Sequence, residues 1–252
     1  MNDRRDVGVV IHARAGKTFY LAIWIPVLSV LWGGCFIIAA RLYPGYELSN
    51  HDISFLGDPG LNPRGWWFWS IGMGIAAIMT FPPITYASRR MAALTVRLPQ
   101  GVRRLVFTGS ICMRCASLGM AGLALVPQGR NLGDLIHIIS GVFAFGGVYV
   151  TLLFFWGAPL FKIREFGIAR SMLFTRSAWW AVVGFLATQG YRFFVYDELG
   201  HDLKNRSESF LLRFSLWEWM LFAAVTTSFA ILLALLPPGL GVAKGVSQEK
   251  WV

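Results

Sequence analysis

Residues 19–40 run without a single charged side chain. A helix rises 1.5 Å per residue, so a run of that length crosses the ~30 Å hydrocarbon core of a bilayer. Five further apolar runs follow, at about 65–87, 105–126, 134–160, 177–196 and 214–236. Backbone in lipid must satisfy its own hydrogen bonds, which restricts such runs to helices. The expected fold is therefore all-α: one polytopic transmembrane domain over 1–252, with six helices in one bundle. Composition agrees. The chain is 56% hydrophobic and 14% charged, whereas soluble domains carry about 25% charged residues. No polar stretch is long enough to fold alone. The first run is too long for a signal-peptide core and lacks a small-residue cleavage site, so it reads as a retained helix.

Six helices place both termini on one side, and the basic residues say which. Of the 23 Lys and Arg, fifteen fall on the termini and on the two loops of their side. Seven fall on the three opposite loops, and Arg114 lies within the third helix. The positive-inside rule then puts the termini in the cytoplasm and the chain in the cytoplasmic membrane. Loops 41–64, 127–133 and 197–213 become extracytoplasmic. The net charge of +10 is accounted for by this asymmetry rather than by nucleic acid, for which no basic-aromatic stripe is present. Cys35, Cys112 and Cys115 all lie in apolar runs. Cys112 and Cys115, one helical turn apart, read as small apolar helix residues.

Against this background the polar outliers stand out. The longest is residues 50–69, NHDISFLGDPGLNPRGWWFW. Its Gly57-Asp58-Pro59-Gly60 and Asn62-Pro63 segments favour tight turns. Ile53, Phe55 and Leu56 are apolar within it, so the loop is expected to tuck back between the helix ends. Pro82-Pro83 should kink or end the second helix. Charges inside a membrane are expensive and usually face the bundle. Arg114, flanked by Ser110 and Ser117, reads either as an anchor for an anionic headgroup or as a structural residue, in an ion pair or capping carbonyls. Glu218, one turn inside the last helix, pairs best in depth with Arg192, and a general acid or base is the sharper alternative. Asp134 and His137 share one face at the start of the fourth helix. Asp134 suits a helix N-cap, and a buried His137 suits either a hydrogen-bonded core position or acid-base work.

Each outer loop brings one histidine with a nearby aspartate: His51-Asp52, Asp134 with His137, and His201-Asp202. His51, His137 and His201 would make a three-imidazole zinc site only as a minor alternative, because no HExxH or HxxxH spacing occurs. No metal is therefore assigned. No phosphate-cradling glycine loop or GxSxG appears either, and no motif names a cofactor.

Three segments carry a resemblance. ISFLGDPGLNPRGWWFW resembles the outer loop before the second helix of a six-helix membrane family, the damage-regulated autophagy modulators and GPI-anchor lipid-remodelling proteins with their bacterial six-helix relatives. SLWEWMLFAAVTTSFAILLALL resembles that family's Glu-Trp opening of the last helix, at Glu218-Trp219. ALVPQGRNLGDLIHIISGVFAF is similar to its Pro-turn-His element, at Pro127 and His137. The resemblance implies six helices and, for one branch, acyl remodelling of a lipid-linked substrate on the luminal side. It points to Ser54, Gly57, Arg114, His137 and Glu218. It does not speak to His51 or His201, and Asp58-Pro59-Gly60 is an insertion relative to its loop.

The expected function is a polar site opening to the outer leaflet, with membrane lipid as partner: a lipid-remodelling acyltransferase or hydrolase. His137, Glu218 and Asp134 are the catalytic candidates. Arg114, Arg192, Ser54, Asp52 and His51 are the substrate-binding candidates. The alternative is a non-catalytic protein that binds lipid or serves as a subunit of a membrane-protein complex.

Overall fold

The computed structural model describes residues 16–48, 51, 53–126, 131–162, 167, 170–176, 179–180, 183–184 and 214–236. Among them every regular element is helical. Helix α1 spans Lys17–Leu42, α2 Trp66–Thr95 and α3 Gln100–Leu125. Helix α4 starts with Asn131–Gly141 and continues through two π-helical stretches, Val142–Gly146 and Thr151–Gly157, to Ala158–Leu160. Helix α5 is described over 170–176, with 179–180 and 183–184 also helical, and α6 is Phe214–Leu235. Four of these, α1 to α3 and Leu135–Leu160 of α4, are long and apolar enough to cross a membrane. Most of the fifth expected crossing, 177–196, lies outside the described residues.

The surface is that of a membrane protein. Val30, Ile78, Phe107, Leu118 and Leu125 are all well exposed along the spans. In water such a belt would be a liability, and in lipid it is the matching solvent. The helices pack by small residues instead. A Cβ added at Gly119 would meet Ala144 N at 2.5 Å and Ser140 O at 2.7 Å, so α3 and α4 touch backbone to backbone. Close approach through small residues is how helices associate where lipid removes the hydrophobic drive. Thr151 in α4 adds a bond from its hydroxyl to Gly109 O at 3.2 Å, and Trp156 Nε1 donates to Val106 O at 3.1 Å.

Two buried clusters stack along the bundle. One, at the end where residues 43–65 lie (the loop end), gathers Phe36, Leu56, Trp69, Met73, Met120 and Ala144. The other, at the opposite end, gathers Met91, Val106, Trp156, Leu160, Phe174 and Leu232. There Lys17 Nζ donates to the carbonyls of Ala234 and Leu236, the latter at 3.0 Å. The start of α1 therefore sits beside the end of α6, and a cation caps the carbonyls that α6 leaves unpaired.

Three expectations are corrected. Helix α2, expected over about 65–87, runs through Pro82-Pro83 to Thr95. Proline at 83 removes the amide that would bond Met79 O. Trp24 of α1 replaces it, donating from Nε1 to that carbonyl at 2.7 Å. The basic stretch 161–176, read as loop, is helical over 170–176. Helix α3 begins at Gln100 rather than near 105, because Pro99 stands immediately before its first residue and fixes the turn there. The proline rescue gives a direct prediction. Trp24→Phe should cost about 1 kcal/mol in the wild-type background. In Pro83→Ala, which restores an amide for Met79 O, the same change should cost measurably less. Detergent unfolding of the four proteins reads the coupling.

Candidate functional site

The polar loop builds its own cap over the loop end, and Asn62 is its hub. Asn62 is 0% exposed. Its Nδ2 donates to Ala39 O at 3.1 Å and to Leu56 O at 3.0 Å, and its Oδ1 accepts from Gly65 N at 3.0 Å. One amide thus ties the end of α1, the 3₁₀ turn Ile53–Gly57 and the start of α2 together. Asp58 shapes the turn before it, with Oδ1 accepting from Gly60 N at 2.7 Å and Leu61 N at 3.2 Å. Ile53 and Leu56 are buried, as the apolar residues in a polar loop foretold. Gly57 lies so close to Trp69 that a Cβ would meet its ring at 2.7 Å.

The first half of the loop is held by rings. Tyr43, Tyr46 and His51 sit with centroids 5.3 to 5.5 Å apart. Trp219 of α6 donates from Nε1 to the Tyr46 hydroxyl at 3.1 Å. This bond joins the loop to the last helix across the bundle. His51 Nδ1 lies 3.0 Å from Glu47 N, so it accepts that amide's hydrogen and the loop turns back on itself. Burial, and then the Asp58 carboxylate, push the Tyr43 phenol up from its usual range. It therefore stays neutral.

Beneath the cap lies His137. It is buried, and its Nδ1 is 3.1 Å from Val126 O, at the end of α3. A carbonyl only accepts, so Nδ1 is the donor of this bond. The imidazole stacks on Trp69, with centroids 5.8 Å apart and planes at 26°. The Trp69 Nε1–H is buried without an acceptor among the described residues. One turn further along α2, Met73 begins a cavity of about 60 Å³ at the centre of the bundle. Its walls come from α1, α2, α3, α4 and α6, with Trp32, Met113, Met120, Phe145 and Phe222 prominent. Its threonine hydroxyls are already engaged: Thr80 with Ala76 O and Ser117, and Thr226 with Phe222 O.

The other candidates divide. Ser54 is half-buried in the 3₁₀ turn and His51 is in the ring cluster, both on the cap with His137 below. Arg114 is not there. It is exposed on the outer flank of α3, which corrects the expectation of a bundle-facing charge. The helical turn explains it. Ser110 and Ser117 point inward, to Val106 O and to Thr80, and Arg114 is rotated off that face by some 40 to 60°. Asp52, Arg192 and His201 lie outside the described residues. Asp134 and Glu218 fall on the starts of α4 and α6, and their side chains lie outside the described set. Among the described residues no three His, Cys, Asp or Glu side chains form a metal-holding group. The role of Asn62 went unread, since an Asn-Pro pair signals a turn but not its burial.

Together the exposed apolar belt and the four span-length helices define a helical membrane protein with a capped end and a central apolar cavity. No family model, curated protein or solved structure matches the chain.

Proposed function

We propose that the protein is a six-crossing lipid-handling protein of the cytoplasmic membrane. Both termini are cytoplasmic, and loops 41–64, 127–133 and 197–213 are extracytoplasmic. The observation that carries this reading is the central cavity, walled mainly by apolar side chains of five helices. The walls match a lipid chain in polarity, and a cavity of about 60 Å³ must widen to admit one, which three flexible methionines allow. His137 lies beneath the cap, stacked on Trp69, and it is the acid-base candidate for remodelling the lipid. The sidedness is supported by the distribution of Lys and Arg. The resemblance to lipid-remodelling proteins supports the same chemistry.

The test has two arms. Thr226→Phe fills the cavity with a ring. Lipid co-purifying with the protein, measured by mass spectrometry, should fall to the detergent background while cooperative unfolding persists. An unchanged lipid-to-protein ratio sinks the binding reading. His137→Asn keeps a donor for Val126 O but removes the imidazole. Turnover of the bound lipid class should drop on the order of 10²-fold or more if His137 is a general acid or base. Unchanged turnover leaves His137 as a packing residue.

A further inference from the structure

Arg114 stands near the midpoint of α3, 10 residues from Arg104 and 11 from Leu125. That is about 15 Å, or three turns, from either end of the span. It is exposed, and among the described residues it has no ion pair or hydrogen bond. A lone arginine at that depth facing acyl chains is costly, and long side chains snorkel to headgroups only from near helix ends. The chain itself offers no match. No Asp or Glu occurs between residues 59 and 133 or between 135 and 164. Glu218 lies ~10 Å nearer the loop end by helical rise. Moreover, α6 packs on the inward side of the cavity, toward Trp32, Phe36 and Phe145.

The residues around Arg114 form a stripe. Phe107, Ile111, Arg114, Leu118, Ala121 and Leu125 are spaced four, three, four, three, four. Phe107, Leu118 and Leu125 are 67, 71 and 80% exposed. That spacing lines one face of α3, as the seam of a helix pair would, with one charge at its centre. We propose that this face of α3 docks a transmembrane helix of another membrane protein, one that carries a carboxylate near the middle of its span. A second copy is disfavoured, because a parallel two-fold pair would set two Arg114 side by side in low dielectric. The inference rests on α3 crossing the bilayer and not on the lipid cavity.

The probe is a synthetic alternating Leu-Ala transmembrane helix with Glu at its central position, and sister peptides with Gln or Lys there. Each is co-reconstituted with the labelled protein in phosphatidylcholine vesicles, and association is read by energy transfer. Wild type should prefer the Glu peptide over the Lys peptide by on the order of tenfold. Arg114→Leu should abolish the preference, and Arg114→Glu should reverse it toward Lys. Equal binding of all three peptides, or a preference that survives Arg114→Leu, overturns the proposal. So does wild-type self-association that Arg114→Leu removes, which assigns the seam to a second copy. Competition of the Glu peptide by added phosphatidylglycerol overturns it in favour of a lipid phosphate. Without peptide, Arg114→Leu should unfold no lower than wild type, and a marked drop would mean the charge is already paired within the chain. None of these outcomes moves the co-purified lipid ratio, so this inference and the cavity reading fail separately.

Discussion

Asn62→Ala should destabilise the protein by about 3 to 5 kcal/mol and free the cap. Three side-chain hydrogen bonds disappear at once, each worth roughly 1 kcal/mol net. Their loss is not evenly felt. Ala39 O still accepts from Tyr43 N at 3.1 Å, and Gly65 N still reaches the Asn62 backbone carbonyl at 3.2 Å. Leu56 O has no other partner among the described bonds, and Leu56 is 0% exposed, so that carbonyl is orphaned at a further cost of roughly 1 to 3 kcal/mol. In detergent the melting temperature should fall by roughly 10 °C. Asn62→Asp separates bonding from shape. Its carboxylate accepts from Gly65 N but faces two carbonyls it repels, so burial raises its pKa above the unfolded value of about 3.9. The protonated form then fits best. Stability of this variant should be highest below that unfolded value and decline as pH rises toward the raised folded one. An Asn62→Ala protein that melts with wild type would remove the hub from the account of the cap.

What could be read in advance follows from which forces act locally. The apolar runs, the return of the loop through Ile53 and Leu56, and a buried His137 rest on hydrophobic pattern and membrane cost, which operate residue by residue. Helix α6, expected at 214–236 and found at Phe214–Leu235, shows how sharply an apolar run defines itself. The departures come from partners distant in the chain. Pro82-Pro83 carries a local signal to kink or stop, and an indole 55 residues earlier takes up the carbonyl that Pro83 leaves without its amide. Asn62 reads as a turn residue until three carbonyl and amide groups from separate segments close around it. Arg114 is different, since its outward face was available in the heptad Phe107 to Leu125. The general cost of membrane charges argued for the interior and outweighed the 3.5-residue spacing. The π-helical stretches of α4 have no local signature of this kind, and α3 packs against both of them.

That packing sets the second large effect. Gly119→Leu should prevent α3 and α4 from meeting, at a cost beyond about 4 kcal/mol, and Gly119→Ala should already cost ~2 kcal/mol. The sign depends on what the new Cβ strikes. Alanine is the better helix former by up to ~1 kcal/mol, so in open space the change is favourable. Gly34 in α1 is such a site, with nothing within 4 Å of where an added methyl would stand, and Gly34→Ala should be neutral or stabilising. At Gly119 the obstacle is backbone, Ala144 N at 2.5 Å and Ser140 O at 2.7 Å, which no rotamer change relieves. Helix α4 must retreat along its length instead. Retreat also strains the bonds from Thr151 to Gly109 O and from Trp156 to Val106 O, two to three turns away, and the His137 bond to Val126 O at the other end. The same substitution should therefore loosen the histidine beneath the cap, visible as faster hydrogen exchange at residues 135–140 and a lower melting temperature. Equal behaviour of Gly119→Ala and Gly34→Ala would mean that α3 and α4 are not in backbone contact, and the position of His137 under the cap would then have to rest on Trp69 alone.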